Sequence, residues 1–424
     1  MKYFDAVNFI NNRPVSKGDH TLEKIEKLLD FFDNPQDKIR IIHIAGTNGK
    51  GSTTRFLASL FSRNYKTGSF TSPYIARINE NISIDGKEIS DEQLSNLVQR
   101  LEQPIKTLDK EGYYLSYFEI ITAIMYIYFY EQSVDVAIVE TGLGGLLDCT
   151  NIIKKPIASV ITTISMDHTN ILGNDIRQIA YQKAGIIKEN VPVFIYPQKD
   201  EVMNVFLKKT LETNSKLYSF TKNEINIKKA DENANVFDFR NYKDVNLQLL
   251  GIHQIYNACL ALMVIDYFKD ELCLDENDIK QSLSKADNLG RITYICKSPR
   301  VLVDGSHNEE SIDALIETLK YFSYDRLIVG FSVLKDKDYN YIIKQLSKIA
   351  DYLIVTNINN PRAFDFDSLS KIVEAKREDV VAIEDSIKAY EYSKEMSRKG
   401  DLILWCGSLY LISELINYEN RFNN

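Results

Sequence analysis

Short runs of β-branched and aliphatic residues recur along the chain, each closing on glycine, serine, threonine or aspartate before a helical stretch. KIRIIHIAG (38–46), VDVAIVETG (134–142) and IASVITTIS (157–165) are three of them. VLVDGS (301–306), LIVGFS (327–332), DYLIVTN (351–357) and LILWCGS (402–408) are four more. A strand that is apolar on both faces must be covered on both, the condition met by a parallel sheet between helical layers. The pattern predicts an α/β, doubly wound fold. Ligands in such sheets gather beyond the carboxyl ends of the strands, so the residues just after each run are the first candidates for chemistry.

The 424 residues correspond to two or three domains at roughly 150 residues each. A segment from about 200 to 250 is richer in Lys, Asn and Asp and reads as an irregular or antiparallel excursion. GIHQIYNACLALMVIDYF (251–268) then has the periodicity of a helix. The polar SKADNLGR (284–291) precedes strand VLVDGS and marks the predicted boundary. A larger domain, 1–290, is followed by a smaller α/β domain, 291–424.

Fifty-one basic against fifty-nine acidic residues give a net charge of −8, which favours neither nucleic acid nor an anionic membrane. The five cysteines are scattered, with no C-x-x-C pair, which fits a reducing cytoplasm rather than a disulfide framework or structural zinc. The N-terminus has no apolar core of signal-peptide length. YFEIITAIMYIYFY (117–130) is too short to span a bilayer and carries Glu119, so it reads as a buried helix.

Strand IRIIHIA runs into Gly46-Thr47-Asn48-Gly49-Lys50-Gly51-Ser52 and then helical TTRFLASLF. Strand, glycine loop, lysine, hydroxyl and helix is the arrangement that cradles a triphosphate. The glycines let backbone N–H groups face the anion, the helix N-terminus adds partial positive charge, and Lys50 reaches the outer phosphates. The plain alternative is a glycine-rich turn with a solvated lysine. Two residues, Thr47 and Asn48, stand between the first glycine and the Gly-Lys pair, where the common phosphate loop has four.

With that spacing, AGTNGKGS resembles the loop of folylpolyglutamate synthases and dihydrofolate synthases, within the Mur ligase superfamily. FTSPYIARINENISIDG (70–86), LSYFEIITA (115–123), VETGLGGLLDCTN (139–151), ISMDHTNILG (164–173) and QKAGII (182–187) resemble further blocks in order. HQIYNACLAL (253–262), LGR (289–291), VLVDGSHN (301–308), LKDKDY (334–339) and GSLY (407–410) continue the series over nearly the whole chain. The resemblance implies a Mur-ligase-like P-loop ATPase domain with a mostly parallel sheet, plus a smaller Rossmann-like C-terminal domain. It also implies ATP-dependent ligation of L-glutamate to a folate or dihydropteroate carboxylate by a monomeric enzyme, with ATP between the domains.

Residue roles follow from the same resemblance. Glu140 ends an apolar strand, where a carboxylate is costly unless solvated, paired or metal-bound; the resemblance makes it a Mg²⁺ ligand with Ser72 and His168. Lys183 is implied to be carbamylated by CO₂ and to help hold a second Mg²⁺, which requires a neutral, desolvated amine. Asn257, Arg291 and Asp304 are implied ATP contacts beside Gly46–Ser52, while His307 lies near the reacting groups. Phe118 and Glu119 match a pterin-side block, and Ser408 and Tyr410 match positions serving the incoming glutamate. Read without the resemblance, His168 is a hydrogen-bonded structural residue, Lys183 a solvated helix lysine, Asp304 a turn residue and Phe118 core.

Three blocks depart from the family pattern. Asn81 stands where the family usually has arginine, Leu146 and Cys149 alter the G-G-R-x-D-A-T-N block, and Glu309 replaces the proline of H-N-P. Losing a guanidinium alters the charge offered to a polyanionic acceptor. Dihydrofolate synthase, folylpolyglutamate synthase and a bifunctional enzyme remain open. So do a superfamily paralogue joining another acid and amine, and a P-loop ATPase or kinase that stops at phosphate transfer.

Overall fold

The computed structural model describes residues 1–14, 21–377 and 379–421. Contacts divide the chain into two compact units: Met1–Ser165, Thr169–Ile225 and Tyr256–Ala286 form the first, and Met166–His168, Asn226–Ile255 and Asp287–Asn424 the second.

The first unit is built on strands β1 (Ile41–Ala45), β2 (Thr67–Phe70), β3 (Ile82–Ile84), β4 (Lys87–Glu88), β5 (Val136–Glu140), β6 (Ala158–Ile161), β7 (Val193–Ile195) and β8 (Leu217–Ser219). They form one sheet in the order β4-β3-β2-β5-β1-β6-β7-β8. Pairing is parallel from β2 to β8, and only β3 and β4 add antiparallel ribbon at one edge. Every residue of β1 and β5 is buried, as predicted for strands covered on both faces. Helix Lys50–Phe61 covers β5, β2 and β1.

Helix Tyr117–Glu131 is apolar nearly all round and sinks into the core with Phe70, Ile82 and Val139. Ser116 opens it in a capping box with Glu119. Among the described residues no helix is long and apolar enough to cross a membrane.

The excursion expected from about 200 begins later. Helix Asp200–Glu212 and edge strand β8 still belong to the first sheet's layers. Both are amphipathic or half-exposed, so their composition imitates a loop. The break comes with β9 (Ile225–Ala230), β10 (Asn235–Phe239) and β11 (Tyr242–Leu247), a separate three-stranded sheet in which β10 and β11 are antiparallel.

The second unit carries β12 (Thr293–Lys297), β13 (Arg300–Val303), β14 (Leu327–Phe331), β15 (Tyr352–Val355), β16 (Val380–Ala382) and β17 (Leu402–Cys406). Their order is β12-β13-β17-β14-β15-β16, parallel except for the β12–β13 hairpin. Trp405 lies opposite Gly330, and a Cβ there would stand 2.5 Å from the indole. Only glycine lets the largest side chain of this core lie flat on its neighbouring strand.

Candidate active site

In the first unit, β2, β5, β1 and β6 are neighbours, and their carboxyl ends lead into Ser72, Glu140, the 46–52 loop and Thr162–Ser165. The chain leaves β1 toward β2 and β6 toward β7, in opposite directions along the sheet. That reversal is a topological switch point, where an open α/β sheet leaves a crevice for a ligand.

The loop is held from the β6 side. Thr47 N–H donates to Thr163 O at 2.7 Å, and its hydroxyl donates to Ser165 O at 3.2 Å. The same hydroxyl accepts from Ser165 N at 3.1 Å. A Cβ at Gly46 would lie 1.7 Å from Thr162 Oγ1. Gly49 has φ 87°, and a Cβ there would meet Asn257 Oδ1 at 2.5 Å. Asn257, on helix Ile252–Leu272, therefore presses against the loop in which Gly49 is the turning residue.

Gly49 caps helix Lys50–Phe61 without a side-chain hydrogen bond, and no acid occupies its first turn. The positive end of the dipole is left to an external anion. Lys50 Nζ donates to Thr47 O at 3.2 Å and stands 3.8 Å from Glu140 Oε1.

Glu140 is 3 % exposed. Its carboxylate, with the Ser72 hydroxyl beyond the adjoining strand β2, supplies hard oxygen donors of the kind Mg²⁺ takes. Among the described residues no three His, Cys, Asp or Glu side chains group to hold a metal alone. An ion here would complete its shell with phosphate oxygens and water, the usual manner of Mg²⁺.

Lys183, buried on helix Ile176–Ala184, donates to Gly46 O at 2.7 Å. The loop after Glu140 binds the same helix, with Leu146 N donating to Gln182 O at 2.7 Å. A Cβ on Gly185 would stand 2.3 Å from Leu146 Cα, so the two backbones touch. Asp148, buried, accepts from Leu143 N at 2.7 Å and Thr150 N at 3.0 Å. Burial raises its pKa against those hydrogen bonds.

Phe118 lies over Gly142, where a Cβ would be 2.4 Å from the ring, and packs at 5.9 Å on Phe70. Glu119 spends one carboxylate oxygen on Ser116 N and Oγ, both at 2.6 Å, which makes it a capping residue in this structure. Asn81 donates to Thr71 O at 2.6 Å and accordingly fixes the turn that carries Ser72.

Arg291, Asp304, His307, Ser408 and Tyr410 belong to the second unit, as does His168. Asp304, just beyond β13, accepts from Ile292 N and Ser306 N, both at 2.9 Å. A Cβ on Gly305 would stand 3.3 Å from Arg291 Nη1, which places the guanidinium beside the same turn. His307 pairs Nδ1 with Gly305 O at 2.7 Å. Lost hydration, then the Lys337 ammonium, lowers its pKa to about 4. Ser408 follows β17, the neighbour of β13, and caps helix Leu409–Asn420 with its side chain on Tyr410 N; Tyr410 itself is 43 % exposed.

Three residues were missed by sequence reasoning. Asp167 and Lys337 form an ion pair at 2.6 Å beside His307, and His253 lies near enough to Asp304 and Arg291 to feel both charges. All three stand inside the blocks ISMDHTNILG, LKDKDY and HQIYNACLAL. An acid beside a histidine and a lysine between two acids were the signals available.

Comparison with known proteins matches residues 44–265 to the Mur ligase middle domain and 290–409 to the Mur ligase glutamate ligase domain. The chain is 36% identical over 424 residues to the dihydrofolate synthase/folylpolyglutamate synthase of Bacillus subtilis, covering 97% of this chain and 98% of that one. A solved Mycobacterium tuberculosis folylpolyglutamate synthase, complexed with ADP and AMPPCP, superposes with TM-score 0.90 at 30% identity, covering 99% and 98% of the two chains. A solved FPGS–AMPPCP–folate complex gives TM-score 0.83 at 29% identity over 98% of each.

Proposed function

Because the chain belongs to the Mur ligase family, in its folylpolyglutamate synthase and dihydrofolate synthase branch, we propose that it joins L-glutamate to the carboxylate of a folate or dihydropteroate, using ATP. The observation that carries this reading is the loop Gly46–Ser52, opened by an uncapped helix N-terminus and faced by Lys50, Glu140 and Lys183. Relatives caught with ADP, AMPPCP and folate support both ligand classes.

In this reading the loop N–H groups and Lys50 hold the triphosphate while the acceptor carboxylate oxygen attacks the γ-phosphorus in line. The P–O bond to ADP breaks, and an acyl phosphate forms. The amine of glutamate then attacks the acyl carbon, phosphate departs, and His307 takes the amine proton. Asn257, Arg291 and Asp304 are assigned to ATP, Phe118 and Glu119 to the pterin side, and Ser408 and Tyr410 to the incoming glutamate. Residues 1–290 are read as the ATP-binding, Mur-ligase-like domain and residues 291–424 as the glutamate-ligase domain.

Ser72, Glu140 and His168 are assigned to Mg²⁺, which would neutralise phosphate charge there, and carbamylated Lys183 to a second ion. The donor types fit, since oxygen and imidazole ligands suit this ion better than thiolate.

A second reading, another acid and amine, draws on Asn81, which is 2 % exposed and engaged with Thr71, so no guanidinium is offered at that point. A panel of pteroates, folates and other acids, followed by ADP release and product mass, separates the two. Activity absent with every pteroate and folate would reject the folate assignment. ADP release indifferent to glutamate, without amide, would leave only an ATPase or kinase.

A further inference from the structure

We infer that Asp167 is a positioning residue for amide formation, holding the Lys337 ammonium and the His307 imidazole side by side. The inference rests on the ligase reading above and concerns its second half.

The geometry lies wholly within the second unit. Asp167 Oδ1 accepts from Lys337 Nζ at 2.6 Å and from the His168 N–H at 2.8 Å. Its Oδ2 accepts from Asn308 Nδ2 at 3.1 Å and stands 3.8 Å from His307 Nε2. One carboxylate therefore joins three loops, those after β6, β13 and β14. The side chains are nearly closed to solvent, at 10% exposed for Asp167 and 5% for Lys337.

A shielded ion pair is a poor way to gain stability, because desolvation cancels most of the attraction and an apolar pair of equal volume does as well or better. What such a pair supplies is a fixed direction for its charges. The carbonyl of Gly305 can only accept, so neutral His307 carries its proton on Nδ1 and leaves the Nε2 lone pair toward Asp167. At 3.8 Å Nε2 is too far to be hydrogen-bonded by Oδ2, yet the carboxylate faces the atom that would take a proton. Lys337 commits one N–H to Asp167, which holds its ammonium close enough to act on His307 and so places a receptor for an anion beside the imidazole. A base beside an anion receptor is what attack by an amine on an acyl phosphate requires: the amine proton passes to Nε2 as the N–C bond forms, and the acyl C–O bond breaks, inorganic phosphate departing with that oxygen and the electron pair.

The test compares wild type, D167N, K337M and D167N/K337M in the full-length chain, with melting temperature, KM for ATP, ADP release and amide product all measured. D167N strands a buried ammonium and should lower the melting temperature by several degrees, whereas the double variant removes both charges and should recover most of the loss. Both should form amide about 100-fold more slowly, with KM for ATP changed less than about threefold. The ratio of ADP to amide should rise well above one, because acyl phosphate left without its amine partner meets water. Recovery of amide formation together with melting temperature in the double variant would overturn the inference, as would ADP and amide falling in step. A wild-type chain that makes no amide would instead sink the ligase reading, and is read separately.

Discussion

The ammonium of Lys183 donates to the main-chain carbonyl of Gly46 at 2.7 Å, tying helix Ile176–Ala184 to the first glycine of the phosphate loop. The lysine is 4 % exposed, so this contact is made away from bulk water. It couples two segments 137 residues apart and gives the sequence block QKAGII a place at the site.

If Lys183 is carbamylated in the working enzyme, its turnover depends on dissolved CO₂. Initial rates in CO₂-free buffer should fall severalfold and return on adding bicarbonate, while a Lys183→Arg enzyme should be slow and indifferent to bicarbonate. Equal wild-type rates in both buffers would remove the carbamate from the account.

Gly49 should tolerate no side chain. At φ 87°, with Asn257 Oδ1 2.5 Å from the Cβ position, Gly49→Ala combines backbone strain on the order of 1–3 kcal/mol with a collision. KM for ATP should rise at least about tenfold, in keeping with that cost. Adding Asn257→Ala should relieve the collision but not the strain, and it removes a residue assigned to ATP, so folding stability should recover in part while KM for ATP stays high.

Asn81→Ala should act through Ser72. Loss of the 2.6 Å bond to Thr71 O leaves a half-buried carbonyl without that donor and should cost about 1 kcal/mol. Folding stability and apparent Mg²⁺ affinity should fall together, measured by denaturation and by magnesium titration of the rate. An unchanged magnesium response would detach Asn81, and the turn it holds, from the metal.

Acid should weaken the fold through its buried histidines. His43 on β1 is fully enclosed, and burial, then the Lys188 ammonium, lowers its pKa from 6.5 to about 3. The unfolded chain therefore takes up a proton that the folded chain refuses once pH drops below about 6.5. Stability is whole above that pH and declines toward pH 3, by about 2–3 kcal/mol from this residue at pH 4.5. His253 and His307, each lowered to about 4, titrate in the same window. Denaturant unfolding from pH 7 to 4.5 should show a shallower slope for His43→Gln than for wild type; parallel slopes would mean that His43 is protonated when folded.

The parallel core was legible because burial on both faces leaves runs with no polar alternation, and each of the seven runs is a strand. Edge strand β8 and helix Asp200–Glu212 were not, because a half-exposed element carries the composition of a loop. At the site, the strand–glycine–lysine–helix order was readable locally. The capping box of Ser116 and Glu119 appears only in the structure, since the sequence by resemblance places Glu119 on the pterin side. The Asp167–Lys337 pair spans 170 residues of chain and the Lys183–Gly46 bond 137, so neither leaves a local pattern. Nor does sequence reveal that Met166–His168 clusters with the second unit while the residues on either side belong to the first.

Transfer of the terminal phosphoryl of ATP to a carboxylic acid is the step on which the account stands, and oxygen labelling reads it directly. An acceptor folate or dihydropteroate with oxygen-18 in its reacting carboxylate would be incubated with ATP, Mg²⁺ and L-glutamate. The account predicts one labelled oxygen in each phosphate released, one ADP for each amide, and neither from Lys50→Ala protein. Unlabelled phosphate alongside normal amide yield would show that the carboxylate never took the phosphoryl group.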